Sequence, residues 1–314
     1  MKRIQLNNRK TMTFCEGVEE YLAGCRARNL REGTIRHYRD SIKTIYRFIP
    51  QDTLIASMDI GTVRKFITDC RDNLEINDVT LHTYSRDLKT FMYYFMQCEY
   101  MDSFKIQLPK VDKKSIETYT DSELKVLLKK PDVNKCSFTE YRNWALVNFL
   151  LSTGVRLNSF INIRIKDIDF SNEVVYVNTT KNRRPLIIPL NKTVLRVLRE
   201  YVKNRQATSE EDYLFCNIYG KQLTKSCITQ SLLQYHRSRR VLTTGLHRYR
   251  HTFAKKWVLA GGSIVTLQKL LGHSSLAITD NYINLLVGDL RKEVDKFNIL
   301  DQFTETRIKL TGMR

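Results

Sequence analysis

The sequence predicts a mainly α protein with a small β-sheet, divided into a helical amino-terminal domain and a larger mixed α/β domain. Three observations predict it. Four apolar patterns of helical period fill roughly the first hundred residues, and a stretch with no period, one proline and four lysines follows them. Beyond it helical periods resume on either side of two alternating, β-branched segments. The limits that follow are 1–108 for the helical domain, 109–116 for a linker and 117–314 for the second domain.

The first helix is predicted over 12–28, ending before a polar Asn-Leu-Arg-Glu-Gly run. The second, 34–48, carries Ile35, Tyr38, Ile42, Ile45 and Phe48 on one side and stops at Pro50. A third covers about 60–70, and a fourth, 80–98, aligns Leu81, Tyr84, Leu88, Phe91 and Phe95. The second and fourth share a residue spacing, which two amphipathic helices of similar role explain better than a duplication. Their polar faces are basic: Arg31, Arg36, Arg39, Lys43 and Arg47 on one, His82, Arg86 and Lys89 on the other.

Past the linker, Thr120-Asp-Ser-Glu123 reads as a capping box opening a helix over 121–130, and another helix is expected over 139–152. Gly154 ends that helix, with Arg156 just beyond. Strands are predicted over 169–180 and 184–190, with Lys181, Arg183 and Arg184 around the hairpin tip. Helices at 191–204 and 224–238 flank Tyr213-Leu-Phe, a short buried strand or turn. Next comes GLHRYRHTFAKKWVLAGGSIVTLQKLLGHSSLAITDNYIN, residues 245–284. His247 and Arg250, three apart, project from one helix face. Gly272 is a helix stop, Ser274 or Ser275 the next N-cap, and His273 sits in the turn between. Tyr282 follows nine residues after His273 in a polar setting, and a final helix at 288–303 carries Leu290, Val294, Phe297, Ile299 and Leu300.

Lysine and arginine exceed aspartate and glutamate by 52 to 33, a formal charge of +19, and the pI is near 9.6. An excess of this size favours a polyanionic partner, nucleic acid before membrane, because no basic amphipathic anchor or lipidation site stands out. Seven scattered cysteines without a Cys-x-x-Cys pair fit reduced thiols better than disulfides or a zinc site. Without an apolar h-region or long apolar run, neither signal peptide nor membrane span is expected, which points to a bacterial cytosol or nucleoid location.

LHRYRHTFA and LGHSSLAITDNY, together with Ser-Thr-Gly-Val-Arg156, resemble the signature boxes of the tyrosine recombinases, the family of lambda-type integrases and chromosome-dimer resolvases. The resemblance spans nearly the whole chain. It implies a helical core-binding domain whose Arg36, Arg39, Lys43, Arg86 and Lys89 grip the phosphate backbone, joined by Arg183 and Arg184 from the hairpin. It implies a catalytic set of Arg156, Lys181, His247, Arg250, His273 and the nucleophile Tyr282. Lys181 stands eight residues before Pro189, the spacing of the family's hairpin lysine. One position departs: where the family commonly has an acid three residues after the first arginine, Ser159 stands, and Asp167 and Asp169 are candidate substitutes.

Such a set makes one reaction. Two guanidinium forks hold the non-bridging oxygens of a phosphodiester, His247 serves as base for the attacking phenol, His273 hydrogen-bonds the phosphate, and Lys181 protonates the leaving 5′ oxygen. No cofactor, metal or ATP is expected, and His251 is a packed neighbour. The partners implied are double-stranded DNA with specific sites, a synaptic homotetramer coupled by the last helix and, as a further candidate, an accessory DNA-bending protein. The expected role is integration, excision or inversion of a mobile element. The rivals are a topoisomerase-like nicking-closing enzyme and a DNA-binding protein that has lost turnover. His37, His82 and His236 are assigned to surface or interface.

Overall fold

The computed structural model describes residues 12–112, 117–180, 184–273 and Thr279. Lys181, Arg183 and Tyr282, the predicted helix at 288–303 and the second half of the predicted linker lie outside the described residues. The chain divides into two compact units, Met1–Lys114 and Ser115–Arg314.

The first unit is built from α1 (Phe14–Ala27), α2 (Glu32–Ile45), α3 (Ile60–Asn73) and α4 (Asp78–Gln97). Three of them start where a side chain can satisfy the open amides of a first turn: Thr13, Asp59 and Asn77 accept from the backbone of Glu16, Thr62 and Thr80. α2 has no such cap; it begins at Glu32, whose charge suits a helix N-terminus, two residues ahead of expectation. The predicted apolar faces turn inward, with Ile35, Ile42, Ile45, Leu81, Leu88 and Phe91 all buried. Tyr21 meets Tyr38, Phe91 and Tyr94 edge-on at 5.4, 5.3 and 5.2 Å between ring centres.

The second unit contains α5 (Asp121–Leu127), α6 (Phe138–Thr153), α7 (Leu157–Phe160), β1 (Ile168–Asp169), β2 (Val174–Val177), β3 (Leu186–Pro189), α8 (Lys192–Asn204), α9 (Lys225–Ser238), α10 (Leu246–Leu259) and α11 (Ile264–Leu271). α6 is its axis: Trp144, Ala145, Leu146, Val147, Phe149 and Leu150 are all buried, and α8, α9 and α10 pack around it. Buried Arg142 donates to Asn143 Oδ1 at 2.9 Å, the Cys216 carbonyl at 3.1 Å and Ser231 Oγ at 3.1 Å, tying α6 to α9 through neutral acceptors.

The sheet is antiparallel in the order β1-β2-β3, with Val175 opposite Ile188. The strand predicted over 169–180 is broken into two. Asp169 Oδ1 accepts from the amides of Ser171 and Asn172 at 2.9 and 2.8 Å, and this side-chain turn reverses the chain before Val174. Tyr213 forms an isolated bridge with Arg164.

One histidine assignment is corrected. His37 is exposed and His82 half-buried, but His236 is only 1% exposed, bonded to the Thr243 carbonyl at 3.0 Å and to the Tyr249 hydroxyl. A histidine next to Arg237, Arg239 and Arg240 reads as part of a polar face; its burying partner is thirteen residues away in sequence. Among the described residues no helix is long and apolar enough to cross a membrane.

Phe149 is fully buried, its ring 5.6 Å from that of Phe215. Phe149→Ala is expected to remove about 3–5 kcal/mol from the second unit, read as a lowered urea midpoint in its unfolding transition.

Candidate active site

Three helix ends make the site. α6 stops at Gly154, whose φ of 59° is left-handed backbone that favours glycine. A Cβ there would come within 2.6 Å of Phe253 and 2.8 Å of Leu271. The chain then runs through extended Arg156 into α7. α10 opens after Gly245, which places His247 in its first turn and Arg250 one turn further on. α11 stops at Gly272, φ 59°. There the Gly272 amide bonds the Lys269 carbonyl and the His273 amide the Gln268 carbonyl, both at 3.0 Å, a Schellman motif.

That motif leaves the carbonyls of Leu271 and Gly272 pointing onward, and the two arginines take them. Arg250 donates from Nη2 to Leu271 O at 2.8 Å and from Nη1 to Gly154 O at 2.8 Å. Arg156 Nη1 reaches Leu271 O at 3.2 Å and Gly272 O at 3.3 Å. Cations are favoured at a helix C-terminus, so the partial negative charge of α11 helps hold two groups that repel each other.

His273 completes the cluster. Its Nε2 lies 2.7 Å from Arg250 Nη2 and its Nδ1 2.8 Å from Thr279 Oγ1. A guanidinium only donates, so Nε2 accepts, and the neutral ring carries its proton on Nδ1, directed at Thr279. Burial, then Arg250 and Arg156, push the His273 pKa down to about 4. Burial, His247 and Arg250 do the same for His251, also to about 4. His247 is lowered by burial, then by Arg250 and Arg156; its ring centre is 6.4 Å from that of His251.

Arg156, Arg250 and His273 line a cleft of about 810 Å³ with Ser159, Thr180, Arg184, Lys269 and the β3 edge at Leu186. Its described lining holds four cationic side chains and no carboxylate. It is built for an anion. Lys269, Thr279 and Thr180 escaped the sequence reading. Lys269, a lone cation on a mostly apolar helix four residues before His273, carried a signal; Thr279, six residues after it, carried none.

Of the residues expected here, the structure gathers Arg156, Arg250 and His273, with Arg184 beside them and His247 on the same helix as Arg250. The two proposed acids are used elsewhere. Asp169 builds its turn, while Asp167 accepts from the Arg164 amide at 2.8 Å and from Asn178 at 3.2 Å. On the first unit, Arg36, Arg39, Lys43 and Arg86 are exposed, although Lys43 pairs with Asp40 at 3.1 Å. Lys89 is held inward by the Ile106 carbonyl at 2.9 Å and lies 5.0 Å from the centre of the Tyr93 ring.

Residues 117–287 match the phage integrase family. The tyrosine recombinase XerD of Staphylococcus haemolyticus is 28% identical over 293 residues, covering 90% of this chain and 98% of that protein. The tyrosine recombinase XerA of Saccharolobus solfataricus is 27% identical over 270 residues, covering 83% and 85%. In fold, the chain is similar to the Tn1549 transposon integrase in complex with circular intermediate DNA (TM-score 0.71, 21% identity, 86% of this chain and 95% of that one). It is also similar to a lambda integrase dimer bound to a COC′ core site (TM-score 0.69, 15% identity, 88% and 79%).

Gly154→Ala combines left-handed strain with two close contacts and is expected to cost about 2 kcal/mol or more. It also displaces the carbonyl that holds Arg250; urea unfolding reads the first effect and DNA cleavage the second. For His273 the folded pKa lies below the unfolded value, so the unfolded chain takes up protons first. Its contribution is therefore intact above about pH 6.5 and is lost as pH falls toward 4. His273→Asn should flatten that acid-side decline in Tm relative to the unsubstituted protein.

Proposed function

The chain belongs to the phage integrase family and is a tyrosine site-specific recombinase; from that premise we propose that Arg156, Lys181, His247, Arg250, His273 and Tyr282 cut and rejoin DNA through a 3′-phosphotyrosyl intermediate. One observation carries the assignment to these residues: Arg156 and Arg250 converge on the α11 carboxyl end beside His273, in a cleft whose described lining has no acid.

A phosphodiester in that cleft meets two planar forks, each suited to paired hydrogen bonds with non-bridging oxygens. As Tyr282 Oη attacks phosphorus, the pentacoordinate transition state gains negative charge, and each fork stabilises it more than the ground state. The phenol proton passes to His247, which burial and the two arginines hold toward the neutral form that has a nitrogen lone pair to accept it. The bond from phosphorus to the 5′ oxygen breaks, and Lys181 supplies that oxygen with a proton. The phosphotyrosyl ester conserves the bond energy, so a second 5′ hydroxyl reverses the steps on a new strand.

His273 has a conditional role. Without DNA its Nε2 accepts from Arg250 and cannot donate to phosphate. An arriving phosphodiester adds the negative charge that favours the protonated ring, and Nε2 then becomes a donor. Double-stranded DNA with a specific site is the partner in this reading, and four protomers bring two sites together. The exposed cations of α2 and α4 support backbone contacts by the first unit. The DNA moved is a mobile element; Ser159, standing where an acid is usual, supports a reading away from the housekeeping pattern.

The test mixes the purified protein with labelled duplexes bearing its gene's flanks, in EDTA, followed by denaturation. A covalent adduct is expected from the unsubstituted protein and none from Tyr282→Phe, while Arg250→Lys should slow adduct formation on the order of a hundredfold. Tight binding with no adduct, even on nicked suicide duplexes, would overturn the assignment.

A further inference from the structure

Tyr249 stands in sequence between His247 and Arg250, fully buried and about 200° round α10 from His247. Its hydroxyl meets His236 Nε2 on α9, and His236 Nδ1 lies 3.0 Å from the Thr243 carbonyl. A carbonyl only accepts. Nδ1 therefore carries the proton and Nε2 accepts from Tyr249, a single neutral tautomer with both nitrogens used. Burial lowers the His236 pKa and keeps the ring in that form.

Tyr119 closes the cluster from the segment leading into α5. Its ring is 4.7 Å from that of Tyr249 and 5.7 Å, edge-on, from His236. Its amide donates to Thr252 Oγ1, also on α10, at 2.9 Å. Beside the Tyr249–His236 pair lies a cavity of about 120 Å³, lined also by Leu232, Leu233 and Leu246. Packing alone thus leaves the first turn of α10 room to move, whereas a directional hydrogen bond does not.

We propose that Tyr249, His236 and Tyr119 are positioning residues that fix the rotation and height of α10, and through it the placement of His247 and Arg250 against the DNA phosphate. The proposal rests on the recombinase reading above. A helix shifts as a body, so any displacement of Tyr249 is shared by its neighbours on the same turn. A misplacement of about 1 Å at reacting groups can cost up to a hundredfold in rate.

Single-turnover adduct formation on a nicked suicide duplex, measured beside DNA affinity, tests this. Tyr249→Phe, which keeps the ring and loses one oxygen, should slow the reaction about tenfold with unchanged Kd. His236→Leu should slow it at least as much, because it also removes the bond to Thr243, and the double variant should be no slower than His236→Leu, since the Tyr249–His236 bond is already gone. His236→Gln should retain most of the rate, since an amide can donate to Thr243 and accept from Tyr249. The proposal fails if Tyr249→Phe reacts at the unsubstituted rate, if the loss follows DNA affinity, or if His236→Gln is no better than His236→Leu. Should His236→Leu not fold, Tyr249→Phe with its Kd and rate still decides. No adduct from the unsubstituted protein would sink the recombinase reading itself, whereas equal rates across a reactive series would sink only this proposal.

Discussion

Two guanidinium groups crowded into one cleft repel, and the site exists because the carboxyl end of α11 overcomes that repulsion. The Schellman turn at Gly272 is the cause. By satisfying the carbonyls of Gln268 and Lys269 with backbone amides, it leaves Leu271 as the acceptor that Arg156 and Arg250 share and Gly272 as a second acceptor for Arg156. Gly154 supplies the third carbonyl, so both left-handed glycines act through their oxygens as well as their φ angles. α6, packed on all sides, keeps the two helix ends in register.

The same concentration of charge sets the state of the histidines. Near two permanent cations and partly out of water, His247, His251 and His273 are all pushed toward the neutral form. A neutral imidazole can take a proton or orient a fork; an imidazolium could do neither. The arginines thus act twice, as cations lining the cleft and as the field that tunes their neighbours.

Helices are the legible part of the sequence, because capping residues and apolar periods are local signals: Thr120 with Glu123 forms the capping box, and Gly154 the helix stop, that the sequence predicts. The sheet was less legible, since Asp169 turns the chain through a side-chain bond that alternation does not report. In the site, the residues carried by motifs were nameable, and Arg156, Arg250 and His273 do meet. What spacing could not give was the medium between them, the backbone carbonyls, which have no side-chain identity to read. His236 failed for a related reason. Its neighbours in sequence are arginines and its neighbours in space are tyrosines.

The acid-free lining of the cleft has a thermodynamic side. With four cationic side chains and no described carboxylate around it, the protein without its substrate is electrostatically frustrated: folding brings like charges together against their preference. An anion relieves that frustration, so folding and substrate binding are linked equilibria with one shared source of free energy. Neutralising Arg184 or Lys269 at the rim would relax the empty protein while weakening its hold on a phosphate. An anion in the cleft is what completes the charge distribution.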